Sequence, residues 1–194
     1  MNNLTYPQMK ILQTSNCILR PANLDDAYDI FEYYKDEKVV KYLPFNSHKT
    51  LNDSKKFIKN FFINHYKKNE CSHYAVVYKT NNKVIGNVGF NNIKIGSKVG
   101  EIGICINPNY WGNNLSTQLT NVIIEYGFMF IGLEKIIAIT YKNNNYSKKS
   151  LYDLGFKYVG KRKKKLKNKI QVCYKYELSK KDYYEKGVDD IYEV

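Results

Sequence analysis

The sequence predicts a single-domain α/β (α+β) protein built on a mixed, mostly antiparallel sheet. Three observations lead there. Two stretches with helical period stand before three segments with strand period. A further helical stretch then runs into the apolar segment KIIAITY, which cannot be a hairpin partner of the strand before that helix. The last two strand-like segments flank a lysine run, as a closing hairpin would. At 194 residues, 43% hydrophobic and 25% charged, the chain suits one domain with a substantial core.

The elements follow in order. CILR, Cys17 to Arg20, is a short strand. A helix starts near Leu24, with Asn23 as N-cap and Asp26 three residues later, and Leu24, Ala27, Ile30, Phe31 and Tyr34 share its apolar face. TLNDSKKFIKNFFINHY forms a second helix with Ile58, Phe61, Phe62 and His65 on one stripe. His65 there reads as structural, since nothing near it in sequence pairs with it. HYAVVYK, KVIGNVGFNNI and VGEIGICIN are three strands separated by turns at TNN and at Gly96–Ser97. The next helix is expected to bury Leu115, Leu119, Val122, Ile123, Tyr126 and Phe130. After KIIAITY, the short helix SKKSLYDLG stops at Gly155, and FKYVGKRKKK pairs with KIQVCYKYEL. The order β-α-α-β-β-β-α-β-α-β-β contains seven strands. The domain is read as residues 1–184, followed by a frayed acidic tail, 185–194.

Composition narrows the function classes. No apolar run reaches the ~18 residues of a membrane span, and the N-terminus lacks a secretory pattern. Cys17, Cys71, Cys105 and Cys173 are scattered and form no metal-type cluster with the three histidines. The expectation is a cytoplasmic protein with reduced thiols and no metal. The net charge of +13 fits either an acidic or nucleic-acid partner or the Asn/Lys/Ile/Tyr bias of the whole chain. The lysines are widely spread, apart from KRKKKLKNK at Lys161–Lys169, where seven of nine residues are basic.

The chemistry centres on a strand-turn-helix passage, INPNYWGNNLSTQL. Residues Trp111 to Thr117 leave a strand and open a helix, where unpaired backbone N–H groups and the positive end of the helix dipole attract anions. Gly112 can take positive φ, and Asn114 tolerates it better than most residues. Taken alone, the passage reads equally as an ordinary turn and helix cap.

EIGICINPNYWGNNLSTQL followed by IIAITYKNNNYSKKSLYDLGF resembles the GNAT superfamily of acyl-CoA N-acyltransferases, and more closely its RimJ/RimL branch. LQTSNCILRPANLDDAYDIFEYYKDEKVVKYLP is similar to that branch's opening strand and helix, and LGFKYVGKRKKKLKNKIQVCYKYEL to its last hairpin, so the likeness runs over roughly residues 10 to 184. It implies a GNAT fold in which two parallel strands, Ile102–Asn107 and Lys135–Tyr141, splay apart. Acetyl-CoA would lie in the gap, and a backbone N–H near Cys105 or Ile106 would polarise the thioester. The pyrophosphate loop falls on Asn109 to Asn114. Only Gly112 matches a signature position, Asn109 replaces the usual Gln or Arg, and Asn114 replaces a second Gly or Ala. The implied cofactor contacts are Cys105, Ile106, Trp111, Gly112, Asn113, Asn114, Leu115, Ser116, Thr117 and Asn144.

Asn144 and Ser147 fit the branch's N-x-x-S. Tyr152, three residues before Gly155, fits a tyrosine that protonates the leaving thiolate in many members, a role assigned to the serine in RimL-like enzymes. Glu101 fits a base acting directly or through water. Cys105, with no histidine nearby in sequence, reads as a small strand residue rather than a nucleophile. The resemblance implies direct acetyl transfer to a primary amine, either a ribosomal-protein-like N-terminus or a small amine, by a monomer or dimer with a ribosomal association in view. Asp29 and Glu32, with Asp25 and Asp26, are expected to line the acceptor side and attract a cationic amine, or else to form a solvated helix face. The competing reading is a non-catalytic protein of this fold that binds RNA or the ribosome through its basic surface.

Overall fold

Eight strands form one sheet in the order β1-β2-β3-β4-β5-β6-β8-β7 in this computed structural model, which describes residues 9–68, 70, 72–112, 114–167 and 169–185. The strands are β1 (Leu12–Gln13), β2 (Cys17–Arg20), β3 (His73–Tyr78), β4 (Lys83–Lys94), β5 (Val99–Ile106), β6 (Lys135–Tyr141), β7 (Lys157–Leu166) and β8 (Lys169–Ser179). All neighbours are antiparallel except β5 and β6. Seven strands are those the sequence predicts. The eighth, β1, has two residues, too few to show a period, and is held by a turn in which Thr14 Oγ1 accepts from Cys17 N–H at 3.0 Å. The acidic tail beyond residue 185 and the loop residue Asn113 lie outside the described residues.

Helices cover both faces. On one lie α1 (Ala27–Tyr34), α2 (Glu37–Val40), α3 (Leu51–Phe57) and α4 (Asn64–Lys67). Ile30, Tyr33, Val40, Ile58 and Phe62 pack there against Ala75, Val77 and Val84. On the other lie α5 (Leu115–Tyr126) and α6 (Asn145–Asp153), with α7 (Lys180–Glu185) contributing Tyr183. Leu119, Ile123 and Leu151 pack there against Val76, Ile85, Phe90, Ile106 and Ile136.

Two expected apolar faces are rotated, each for a helical reason. The first helix opens as a 3-10 turn, Leu24–Asp26, with Asn23 and Asp26 forming a capping box. A 3-10 turn advances more per residue than an α-helix, and Leu24 swings outward to 40% exposure. After Tyr126 the chain enters a π-helical turn, Gly127–Ile131, which advances less per residue. Phe128 is thereby buried and Phe130 left 52% exposed. A second π-helical stretch, Ile58–Ile63, joins α3 to α4 and sets the Phe61 ring 5.0 Å from the His73 ring. His65 does have a partner nearby in sequence, Glu70 at 2.6 Å on the surface, whereas the buried histidines of this layer are His48 and His73.

His73 belongs to a polar chain enclosed between the sheet and α1. Tyr34 Oη–H donates to Asn87 Oδ1 at 2.7 Å, and Tyr33 Oη–H reaches the same atom at 3.4 Å. Asn87 Nδ2–H donates to His73 Nδ1 at 2.9 Å, which places the imidazole proton on Nε2, facing Asn91 Oδ1 at 3.0 Å. Burial pushes His73 down to about 4. The unfolded chain therefore takes up a proton below about pH 6.5 that the folded chain refuses until about pH 4, so stability falls as pH is lowered through that window. His73 alone is expected to remove roughly 2 kcal/mol between pH 7 and pH 5. Urea unfolding at the two pH values checks this. His73→Asn should be less stable at pH 7 but markedly flatter across the interval; a wild-type slope that survives the substitution would refute the assignment.

Candidate active site

The last pair in the β5–β6 ladder is Ile102 with Ala138. Beyond it β5 stays on β4 as far as Ile106–Gly86, and β6 stays on β8 as far as Tyr141–Cys173, so a gap opens between two half-sheets. Asn107 N–H donates to Ile85 O at 2.7 Å, and antiparallel pairing alternates sides. Cys105 and Gly103 thus spend their backbone groups on β4, while those of Ile104 and Ile106 face the gap. The Cys105 peptide faces β4, so of the backbone groups near Cys105 and Ile106 only those of Ile104 and Ile106 are presented to the gap. The Cys105 thiol lies beside Tyr34, and burial pushes it up to about 12, far from a thiolate nucleophile. On β6, Thr140 is buried just past the end of the ladder, and its Oγ1 has no hydrogen-bond partner among the described residues.

The passage from β5 to α5 turns on Asn107, which sequence reading passed over, together with the residues it singled out. Asn107 Oδ1 accepts from Asn109 N–H at 3.0 Å, and its Nδ2–H reaches Glu32 at 3.2 Å, so an Asn-Pro turn pins the loop to α1. Trp111 Nε1–H donates to Ile106 O at 2.8 Å and closes the lower end of the gap. Gly112 has φ +88° with open space where a Cβ would stand; its conformation alone calls for glycine. Asn114 has φ +56° and makes no side-chain cap. By contrast, Asn23, Asp36, Thr50 and Asn144 each cap their own helices. The first intrahelical bond of α5 runs from Gln118 N–H to Asn114 O, so the N–H groups of Leu115, Ser116 and Thr117 have no partner within the helix. Leu115 is buried and anchors this end; Ser116 and Thr117 are half-buried.

Helix α6 lies alongside. Asn144 Oδ1 accepts from Ser147 N–H at 3.3 Å as the N-cap, and Ser150 Oγ sits 3.4 Å from Thr117 Oγ1. Sequence reading missed Ser150, although it stands one turn after Ser147. Tyr152 is 77% exposed on the outer side of α6, and Gly155 ends the helix with φ +88°.

On the α1–α4 face, Glu101 stands two residues before Gly103, and its carboxylate lies 3.5 Å from Lys164 Nζ of β7. Three acids of the first helix, Asp26, Asp29 and Glu32, have partners. Arg20 clasps Asp26 at 2.6 and 2.9 Å, Asp29 accepts from Val84 N–H at 2.8 Å, and Glu32 pairs with Lys83 at 2.8 Å. The Lys83 ammonium, with Asn107, holds the Glu32 carboxyl below its usual range. Glu32 also lines a cavity of about 640 Å³ with Tyr28, Phe31, Asn107 and Asn109. Among the described residues no group of three or more His, Cys, Asp or Glu could hold a metal ion, and no helix is long and apolar enough to cross a membrane.

Residues 16–157 match the family model described as an acetyltransferase (GNAT) domain. The chain belongs to the GNAT acetyltransferase family. It is 28% identical over 180 residues to an uncharacterized N-acetyltransferase, p20, of Bacillus licheniformis, covering 90% of this chain and 99% of that one. Among solved structures, the ribosomal-protein-S5-alanine acetyltransferase of Vibrio fischeri is 25% identical with a TM-score of 0.76, over 90% of this chain and 99% of that one. The microcin C7 self-immunity acetyltransferase MccE, solved with acetyl-CoA and AMP, shares the fold at 21% identity and a TM-score of 0.76, over 86% of this chain and 93% of that one.

The Trp111 bond predicts a local effect. Trp111→Phe keeps an aromatic side chain, though a smaller one, and removes the N–H, leaving Ile106 O without its partner. It should cost about 1 kcal/mol and raise amide exchange at Gly112–Thr117 more than in the β3–β4 hairpin. Uniform exchange changes across the sheet would count against this role.

Proposed function

We propose that this GNAT protein transfers an acetyl group from acetyl-CoA directly to a primary amine. One observation carries the reading: the β5–β6 gap opens at the uncapped N-terminus of α5. Backbone groups of Ile104 and Ile106 can pair with an extended amide-bearing arm as an added strand would. The N–H groups of Leu115 to Thr117, with the Trp111–Asn114 turn, suit a pyrophosphate. The orphaned Thr140 hydroxyl supports the same placement. An N–H from Ile104 or Ile106 would polarise the thioester carbonyl.

Glu101 serves as the base, directly or through water. An α-amino group with a pKa of about 7.7–8.0 is already partly neutral near pH 7.5, so modest help suffices. Tyr152 or Ser147 returns a proton to the thiolate. The acceptor is a protein N-terminus, in keeping with the ribosomal-protein acetyltransferase of like fold, or a small amine. Glu32 lines a cavity beside Asn107, about 20 Å along β5 from Glu101, so it would meet a distal cationic group of the acceptor and not the reacting amine, while Asp29 is committed to Val84 N–H. A non-catalytic reading draws on one feature: Lys161, Arg162, Lys163, Lys164 and Lys165 stand exposed on the edge strand β7. Acetyl-CoA in a thermal-shift assay, then thiol release with a panel of peptide N-termini and small amines, tests the enzyme. Salt-sensitive RNA binding with no response to acetyl-CoA would establish the other reading.

Two sets of substitutions are informative. Tyr152→Phe and Ser147→Ala should separate the proton donor: the one that matters lowers kcat about 100-fold, with little change in the acetyl-CoA KM, and the other leaves kcat within a few-fold. Asn114→Gly keeps a backbone that glycine adopts without strain and removes the side chain at the turn. It should tighten the acetyl-CoA Kd several-fold in calorimetry; an unchanged or weaker Kd would show that Asn114 does not crowd the phosphates.

A further inference from the structure

We propose that Asn91 selects the acceptor by donating its Nδ2–H to an oxygen on the carbon beside the attacking amine's own carbon, so that the preferred acceptors are α-amino amides such as peptide N-termini. This rests on the acetyltransferase reading above. The polarity of the enclosed hydrogen-bond chain sets the donor. Two tyrosine hydroxyls donate to Asn87 Oδ1, so Asn87 turns its amide N–H toward His73 Nδ1. The imidazole proton therefore sits on Nε2 and is taken by Asn91 Oδ1. The Nδ2–H groups of Asn91 have no partner among the described residues and are its donors to a ligand, while Oδ1 keeps one lone pair beyond the bond from His73; Asn91 is exposed at the end of a chain whose other members are buried.

Its position is equally constrained. The Asn91 amide lies 2.8 Å from where a Cβ on Gly103 would stand, so it rests on the Gly103 backbone and occupies the space a side chain would fill. Gly103 is the first residue of β5 beyond the last β5–β6 pair. Strand alternation puts Glu101 on the same face, and Asn92, the next residue after Asn91, is its cross-strand partner. An amine presented to Glu101 at the mouth of the gap thus has a fixed donor beside it. A carbonyl oxygen there satisfies that donor, whereas a methyl group leaves it dry and unpaired, and sites built to hydrogen-bond a substrate discriminate on that difference.

The experiment compares kcat/KM for alaninamide and isopropylamine, in which a methyl group replaces the carboxamide, in wild type, Asn91→Asp and Asn91→Ala. Asn91→Asp keeps the acceptor for His73 Nε2–H and removes the donor; Asn91→Ala removes both. Amine basicity cancels because each preference is expressed relative to wild type. Both variants should reduce the preference for alaninamide at least tenfold, chiefly through its KM, with the acetyl-CoA KM held. A preference retained within twofold, or a loss falling equally on both amines, overturns the assignment of Asn91 alone. Wild-type protein that releases no thiol with either amine overturns the transfer reading for such acceptors, and this proposal with it.

Discussion

The whole site depends on the point where β5 and β6 stop pairing. A parallel ladder in a sheet interior normally continues, because an unpaired backbone group away from water is costly. Here each strand keeps its antiparallel neighbour to the end, β5 on β4 and β6 on β8, so the two half-sheets follow their own twist and part after Ile102 and Ala138. The parting leaves the Ile104 and Ile106 backbone groups in want of partners. Trp111 satisfies one carbonyl from below, and the rest of the gap is left to a ligand able to act as a strand.

Both faces of the sheet organise themselves around that gap. On the α5 side the helix arrives through two consecutive departures from ordinary backbone, Gly112 and Asn114, and enters without a side-chain cap. Asn23, Asp36, Thr50 and Asn144 use their side chains as caps, whereas Asn114, held at positive φ, leaves the first N–H groups of α5 without one. On the α1 side the neutral His73 imidazole, locked between Asn87 and Asn91, converts two buried tyrosine hydroxyls into one oriented amide at the surface. Such a chain is favourable only when every member is satisfied, and the buried members here are.

Charge is distributed in a related way. Asp26, Asp29 and Glu32 of the first helix are consumed in clasping β2, β4 and the Asn107 turn, so they stabilise the layer in which the acceptor would lie. The basic residues of β7 remain outside, on a strand with a free edge, where a row of lysines discourages further strand pairing. Of that row, Lys164 turns back to Glu101, linking the closing hairpin to the proposed base.

The order of the seven longer strands, the crossover helix, the Asn23 capping box, the closing hairpin and the Trp111–Thr117 turn were legible in the sequence, because each is written in local period and turn chemistry. The two-residue β1 and the short helices α2 and α7 were not, for want of a period, nor were the rotations at Leu24 and Phe130, since 3-10 and π turns leave no mark in an apolar pattern. The site divides along the same line. Gly112 and Asn114 could be singled out because left-handed backbone restricts residue type. The choice of Ile104 and Ile106 over Cys105 required the ladder to Ile85, and the link from Tyr34 through Asn87 and His73 to Asn91 joins residues 53, 14 and 18 positions apart. Local sequence determines which way a backbone can turn; only the assembled sheet decides which groups are left unpaired, and those are the groups that can bind.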